Sequence, residues 1–147
     1  MRIGVVADTH DHLPEIVLQG LTGVDEIWHL GDVTNPQILD QLHVLGVPVQ
    51  VVRGNCDMES DWPLVLNFKH SGIRFRLQHI PPRGTPDNTD VLLHGHTHVP
   101  RDIHMGGVRF LNPGTVGKPN KGAASGYAIL TIRPDGSLIW EQRSLKE

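Results

Sequence analysis

The stretch that decides the fold is Ile3-Gly4-Val5-Val6-Ala7-Asp8-Thr9-His10, in which a short apolar run ends on a carboxylate and an imidazole. β-Branched residues dominate the run, which is typical of a buried strand. Asp8 and His10 are two residues apart, so extended backbone points their side chains to the same side. Both side chains can therefore reach one metal ion.

The same pattern of an apolar run and a polar corner returns twice in the first 57 residues. Strands are predicted at residues 26–30 and 47–52, and they are followed by Gly31-Asp32 and Gly54-Asn55, where glycine permits a sharp turn. Helices are predicted between the three strands, at residues 13–21 and 37–45, with Pro14 and Pro36 suited to their first turns.

This β-α-β-α-β order predicts a parallel sheet with right-handed connections. The carboxyl ends of parallel strands meet at one edge of the sheet, where ligands gather. Asp8, Asp32 and Asn55 all follow predicted strands, so we expect them to lie together there.

The second half of the chain is predicted to consist of strands, several of them joined by short glycine-containing turns. These strands are placed at residues 64–69, 73–79, 90–93, 101–105, 108–111, 127–133 and 137–143. We expect a second, mostly antiparallel sheet that packs on the first, with helices outside, as one α/β sandwich domain over residues 1–147.

Composition narrows the functional classes. The net charge of −3 does not fit a protein that grips long nucleic acids, which needs clustered Lys and Arg. The apolar runs are too short to cross a membrane, and the single cysteine, Cys56, cannot form an internal disulfide. We therefore expect a cytoplasmic protein. Ten histidines in 147 residues are unusual, and imidazole is a common metal ligand.

Two further segments complete a candidate metal site. His79 ends a predicted strand, and Gly95-His96-Thr97-His98 places two imidazoles at alternate positions after another apolar run. With Asp8, His10, Asp32 and Asn55, seven donors are available, which suits two ions that share a bridging carboxylate. Asp-x-His, Gly-Asp and Gly-Asn each have an ordinary explanation as a turn or a helix cap, whereas Gly-His-x-His is more specific. It is the ordered set that favours metal.

The order Asp-x-His, Gly-Asp, Gly-Asn-Cys-Asp, His, Gly-His-Thr-His and Asn-Pro-Gly closely resembles the calcineurin-like metallophosphoesterases over nearly the whole chain. It is most similar to their small single-domain bacterial and archaeal phosphodiesterases, to which the retromer scaffold subunit is related. The resemblance implies a four-layer αββα sandwich with two mixed sheets. It also implies two divalent ions, of which manganese is expected and iron, nickel or zinc are possible substitutes.

The resemblance assigns the ligands and the catalytic groups. The first ion would be held by Asp8, His10, Asp32 and His98, and the second by Asp32, Asn55, His79 and His96. Asp32, Asn55 and His96 would thus be catalytic residues, and Asp57 is added to them as a carboxylate that orients the ligands, its alternative being an exposed turn residue.

The remaining site predictions concern the rim. Cys56 stands where many members have histidine, so we expect phosphate diesters to be preferred over monoesters. Arg53, Arg83 and His12 are candidate substrate-binding residues, although each is also explained as an ordinary surface residue. Asn112 is expected to hydrogen-bond behind the histidine loop. We interpret His29, His43, His70, His94 and His104 as core-edge or surface residues.

The leading hypothesis is a binuclear phosphodiesterase in which a metal-bridging hydroxide attacks a small phosphodiester. One alternative is a protein-binding scaffold of the same fold, which would expose an apolar patch. Another is a nuclease for short or single-stranded nucleic acids, although no basic groove with interleaved aromatic residues is evident. A homo-oligomer is possible.

Overall fold

The fold is described from a computed structural model, in which residues 1–119 and 122–145 are placed. The first half alternates strands and helices as predicted: β1 (Arg2–Val6), α1 (Glu15–Gly20), β2 (Glu26–His29), α2 (Gln37–His43) and β3 (Val49–Val51). The second half contains strands: β4 (Val65–His70), β5 (Ile73–Gln78), β6 (Val91–Leu93), β7 (Arg101–Met105), β8 (Val108–Asn112), β9 (Gly126–Ile132) and β10 (Leu138–Ser144).

Both helices begin directly after a proline and are shorter than predicted. Pro14 and Pro36 precede them with φ of −61° and −56°, which suits entry into a helix. After α2, Gly46 adopts a φ of 76°, and its N–H donates to the carbonyl of His43 at 3.0 Å, which ends the helix. Neither helix among the described residues is long and apolar enough to cross a bilayer.

The strands form two five-stranded mixed sheets, which confirms the predicted α/β fold of two mixed sheets. Both helices of the described residues pack on the first sheet, so no helix within residues 1–119 and 122–145 covers the second sheet as a fourth layer. The first sheet has the order β10-β9-β1-β2-β3, with β1, β2 and β3 parallel. The second has the order β4-β5-β6-β8-β7, with β5, β6 and β8 parallel.

Two expectations about the second half were wrong. The second sheet is not mostly antiparallel, because its three central strands are parallel. The last hairpin belongs to the first sheet, where Ile3 of β1 is paired with Leu130 of β9. Strand β9 is buried along nearly its whole length, so both of its faces must be covered and both of its edges paired. It meets these needs between β10 and β1 of the first sheet, and a place at the edge of the second sheet would leave one edge unpaired.

The main core lies between the sheets and sets the geometry of their strand ends. Trp28 packs edge-on against Phe68 and Phe75, with ring centroids 5.1 and 5.4 Å away. A second cluster joins both helices to the outer face of the first sheet through residues such as Val17 and Leu42. This packing holds the carboxyl ends of the parallel strands of the two sheets on the same side of the molecule. Within each sheet, the segments that follow neighbouring strands are also bonded to each other: the Asp8 N–H donates to the Gly31 carbonyl in the first sheet, and the Gly95 N–H to the His79 carbonyl in the second.

Candidate metal centre

The predicted ligand segments converge at these strand ends. In the first sheet, Asp8, Asp32 and Asn55 follow β1, β2 and β3. In the second sheet, His79 directly follows β5, and the segment 95–98 follows β6. Strand ends that are far apart in the sequence thus meet at one place, as the parallel strand order predicts.

The backbone at this place is unusual. Five of the seven predicted ligands have a positive φ, a conformation that residues other than glycine rarely adopt. They are Asp8 at 55°, His10 at 46°, Asp32 at 57°, His96 at 70° and His98 at 60°. Such residues cluster at functional sites, where the surrounding structure holds them in place.

Five side chains lie close enough to share ions. His79 Nε2 is 3.2 Å from Asp32 Oδ2, and His98 Nε2 is 3.3 Å from Asp8 Oδ1. His10 Nε2 lies between the two carboxylates, 3.5 Å from Asp32 Oδ2 and 3.8 Å from Asp8 Oδ1. Two groups with metal-ligand composition result, Asp8-His10-His98 and Asp8-Asp32-His79.

Three polar atoms in this cluster are buried without a hydrogen-bond partner among the described residues. They are Asp8 Oδ1, His10 Nε2 and His79 Nε2. A buried polar group without a partner is costly, so such groups in native proteins point to an ion or water that satisfies them. The residues therefore fit a metal site.

The other atoms of these side chains are oriented by the backbone. His79 Nδ1 lies 2.8 Å from the carbonyl oxygen of Leu30, and His98 Nδ1 lies 2.9 Å from that of Lys118. A carbonyl accepts, so each Nδ1 carries the proton and each Nε2 presents a lone pair to the cluster. The His96 N–H donates to Asp8 Oδ2 at 3.2 Å, which leaves Oδ1 facing the histidines.

Asn55 and His96 lie together at the exposed rim of the cluster. His96 Nδ1 is 3.1 Å from Asn55 Oδ1, and the rings of His79 and His96 meet edge-on at 5.2 Å. These two predicted ligands thus adjoin His79 and contact each other.

Asp57 is buried and accepts hydrogen bonds from four backbone N–H groups. Its Oδ2 accepts from Asp32 and Gly54 at 2.8 Å and from Val33 at 3.3 Å, and its Oδ1 accepts from Thr34 at 2.8 Å. One carboxylate thus ties the turn after β2 to the turn after β3. Asp57 positions the ligand loops and is not an exposed turn residue.

Asn112 takes the expected place behind the histidine loop. Its Nδ2 donates to the carbonyl of Gly95 at 3.3 Å and to Thr97 Oγ1 at 3.1 Å, while its Oδ1 accepts from the Gly114 N–H at 2.9 Å. This buried side chain joins the loop after β6 to the turn after β8.

The electrostatics of the cluster favour a cation. Burial raises the pKa of Asp8, although His79 and His98 oppose the shift. Burial also acts to raise the pKa of Asp32, but the close His79 imidazole and the Cys56 N–H lower it to about 2. Burial opposes protonation of His79, yet the two carboxylates raise its pKa overall. Positive charge between two buried carboxylates this close stabilises their ionised forms.

His29 and His94 are buried residues whose roles the sequence did not reveal. The Gly31 N–H donates to His29 Nδ1 at 3.1 Å, and His29 Nε2 lies 3.1 Å from Thr9 Oγ1. His94 Nδ1 lies 3.0 Å from the Gly95 carbonyl, and Arg101 donates to its Nε2 at 3.1 Å. Burial lowers the pKa of each to about 4, so both are neutral supports of the ligand loops. The signal was their position two residues before Gly31 and His96.

Cys56, at the position where many members of the family have histidine, lies beside the metal-ligand cluster. Its Sγ, with atoms of His10 and Asp32, forms a third group with metal-ligand composition, and burial raises the pKa of its thiol. Its N–H donates to Asp32 Oδ1 at 2.8 Å, so the backbone at this position orients the central carboxylate.

The three predicted substrate-binding residues are placed differently. Arg53 lines a cavity beside Asn55 and His79. His12 is exposed on the loop before α1. Arg83 is exposed on the crossover from β5 to β6, and Thr85 of that crossover lies against Gly106 at the opposite end of the second sheet.

The two mixed sheets, with a histidine and aspartate cluster at their strand ends, define a protein of the metal-dependent phosphoesterase type. Residues 1–135 match the calcineurin-like phosphoesterase superfamily domain, and the chain belongs to that superfamily. It is 33% identical to a probable metallophosphoesterase of Methanothermobacter thermautotrophicus, over 95% of this chain and 89% of the relative.

Solved structures agree with this assignment. The Escherichia coli phosphoesterase Yfce superimposes with a TM-score of 0.78 and 27% identity, over 97% of this chain and 99% of that one. Vps29 of Entamoeba histolytica, solved in complex with zinc, has a TM-score of 0.78 and 22% identity, over 99% of this chain and all of that one, and shows likeness of fold.

Proposed function

We propose that this protein is a binuclear metal-dependent phosphodiesterase that hydrolyses a small phosphodiester in the cytoplasm. The observation that carries the proposal is the set of buried, unpartnered atoms Asp8 Oδ1, His10 Nε2 and His79 Nε2. Asp8 Oδ1 lies 3.8 Å from His10 Nε2 and 3.7 Å from His79 Nε2. The match to phosphoesterases over residues 1–135 supports the same chemistry.

In this proposal Asp32 is the shared ligand. Asp8, His10, Asp32 and His98 hold one ion, and Asp32, Asn55, His79 and His96 hold the other. The donors are oxygen and imidazole nitrogen, which suits manganese and also accommodates iron, nickel or zinc. When bound, two such ions polarise the phosphoryl oxygens and lower the pKa of water, so that a hydroxide nucleophile forms near neutral pH.

The chain's own residues orient this reaction. Asp57 keeps Asp32 in place through the backbone, and Asn112 does the same for the segment that carries His96 and His98. Asn55 and His96, at the exposed rim, are the proposed ligands that a bound phosphate meets first. Cys56 supplies no imidazole at the position where many members of the family have histidine, so we expect diesters and activated leaving groups to be preferred.

The experiment removes metal with a chelator and restores manganese. Hydrolysis of bis(p-nitrophenyl) phosphate is expected to disappear and return, with two ions bound per chain, and turnover of simple alkyl monoesters is expected to stay far lower. Asp32→Ala is expected to abolish activity and ion binding, while the exposed Asp87→Ala control retains both. The absence of metal-dependent hydrolysis of any ester would reject the proposal, and equal turnover of alkyl monoesters would reject the diester preference.

The two alternatives make different predictions in the same experiment. A protein-binding scaffold hydrolyses neither ester, and its partner binding survives Asp32→Ala. A nuclease cleaves a single-stranded oligonucleotide faster than bis(p-nitrophenyl) phosphate.

A further inference from the structure

A cavity of about 450 Å³ adjoins the candidate metal centre. Two proposed ligands, Asn55 and His79, form part of its wall. The cavity and the proposed ligand set thus share two residues, so a group attached to a phosphate at the centre has this cavity beside it.

The surface of the cavity is mainly apolar. Met58, Leu64 and Ile80 line it with exposures of 84%, 58% and 51%. Single exposed apolar side chains are common and need no explanation. Here, however, three of the eight large apolar side chains exposed in the described part of the chain meet at one cavity beside a polar cluster.

Among the polar side chains that line the cavity, the guanidinium group of Arg53 is the one available to bind a ligand. Gln78 is occupied at both ends, because Arg76 Nε donates to its Oε1 at 2.7 Å and its Nε2 donates to the Ile80 carbonyl at 2.7 Å. Arg53 forms no ion pair with a carboxylate within residues 1–119 and 122–145. A guanidinium group stacks on aromatic faces, and the thioether of Met58 also favours aromatic contacts.

We propose that this cavity binds the ester arm that stays on the phosphate, and that this arm carries an aromatic ring. The inference rests on the proposed phosphodiesterase function and narrows its substrate class to diesters with one aromatic arm. In the reaction, water adds to phosphorus and the bond to the leaving oxygen breaks, while the bond to the arm in the cavity is kept. Arg53 is the residue that stacks on the ring, and Leu64 and Ile80 cover its edge.

The test compares two diesters with the same leaving group, ethyl p-nitrophenyl phosphate and 2-phenylethyl p-nitrophenyl phosphate. The ring is two carbons from the ester oxygen, so the intrinsic reactivity at phosphorus is the same. Burial of a phenyl group in a half-open cavity is expected to raise kcat/KM about tenfold. A thymidine 5′-(p-nitrophenyl phosphate) substrate then tells whether a nucleobase or a hydrocarbon ring is preferred.

The variants use matched isoleucines. Ile80→Ser is expected to reduce the preference for the phenylethyl ester at least threefold, because it removes apolar surface from the cavity. Ile16→Ser removes a similarly exposed side chain from α1, away from the cavity, and is expected to leave the preference unchanged. Equal kcat/KM for the two esters, or a preference that survives Ile80→Ser, would overturn the inference while the phosphodiesterase proposal stands.

A second readout does not depend on turnover. The chain has three methionines, so methyl-labelled Met1, Met58 and Met105 give three assignable NMR signals. Ethyl 2-phenylethyl phosphate, added to the zinc-loaded protein, is expected to shift the Met58 methyl signal by the ring current and to leave Met1 and Met105 unchanged. If neither p-nitrophenyl ester is hydrolysed, the proposed function fails. A shift of the Met58 signal would then still support the cavity as a binding site for an aromatic group. An unchanged Met58 signal would contradict the inference.

Discussion

Asp57→Asn is the most informative single substitution in the described structure. The change keeps the size of the side chain, but it removes the negative charge and replaces one acceptor oxygen with a donor. The asparagine oxygen can remain with the N–H groups of Asp32, Gly54 and Val33. Its amide nitrogen then faces the Thr34 N–H, which Asp57 Oδ1 accepts at 2.8 Å.

The expected loss follows from these four contacts. One buried charge-assisted hydrogen bond is lost, its N–H donor is left without an acceptor, and the other three bonds become neutral and weaker. With about 1.5–3 kcal/mol for a hydrogen bond to a charged group, the free energy of unfolding should fall by roughly 3 kcal/mol. The turns that carry Asp32 and Asn55 also loosen, so metal affinity should fall about 10–100-fold.

The free energy of unfolding is measured by urea titration with chelator present, and metal affinity by competition with a coloured chelator. Glu59→Gln makes the same chemical change at an exposed position two residues away and is expected to leave both values unchanged. If Asp57→Asn costs less than about 1 kcal/mol, or binds metal as well as the Glu59→Gln control, the assigned role of the carboxylate is wrong.

Gly54→Ala is expected to abolish metal binding, measured as bound metal per chain, because a methyl group there would lie 2.2 Å from the backbone nitrogen and Oδ1 of Asp32. The free energy of unfolding of the metal-free protein should fall by roughly 5 kcal/mol as the pH is lowered from 6.5 to 4. The reason is that His29 and His94, each with a pKa of about 4 in the folded state, bind protons near pH 6.5 only when unfolded. Asn112→Asp should weaken metal binding about tenfold in chelator competition, because a carboxylate oxygen would face the Gly95 carbonyl.

Each of these three predictions has its own control. Gly84→Ala, where a methyl group meets no atom within 4 Å, should bind metal normally, and equal binding by Gly54→Ala would contradict the packing argument. His29→Gln should remove about half of the pH dependence between 6.5 and 4, and an unchanged slope would show that groups other than His29 cause it. For Asn112→Asp, unaltered affinity would mean that the histidine loop is held without this side chain.

Local patterns were sufficient for much of the fold. Each strand in the first half is an apolar run that ends at a glycine or polar residue, and this information lies within a few neighbouring positions. The same holds for the hairpin turns at Gly72, Gly106 and Gly136, all of which adopt a positive φ. Local patterns do not reveal which sheet a hairpin joins, because the pairing of β9 with β1 joins residues more than 120 positions apart.

Some features of the candidate site could likewise be predicted from local patterns, and others could not. Donor types at strand ends were visible in the sequence, and so was the place of Asn112 behind the histidine loop. The burial of His29 and His94 was not visible, because a histidine at a strand end has the same local pattern whether its ring meets solvent or buried polar groups of the protein. The cavity beside Arg53 was also hidden, since Met58, Leu64 and Ile80 come from separate segments.

The sequence by itself determined which residues can bind metal and which end of each strand they occupy, because alternation and turn preference are local properties of the chain. Only the tertiary structure decided which oxygen and nitrogen atoms face one another, which ring nitrogen of His79 and His98 meets a backbone carbonyl, and where an apolar cavity opens beside them. These features depend on how two sheets pack together, and packing is set by contacts between residues that are distant in the chain.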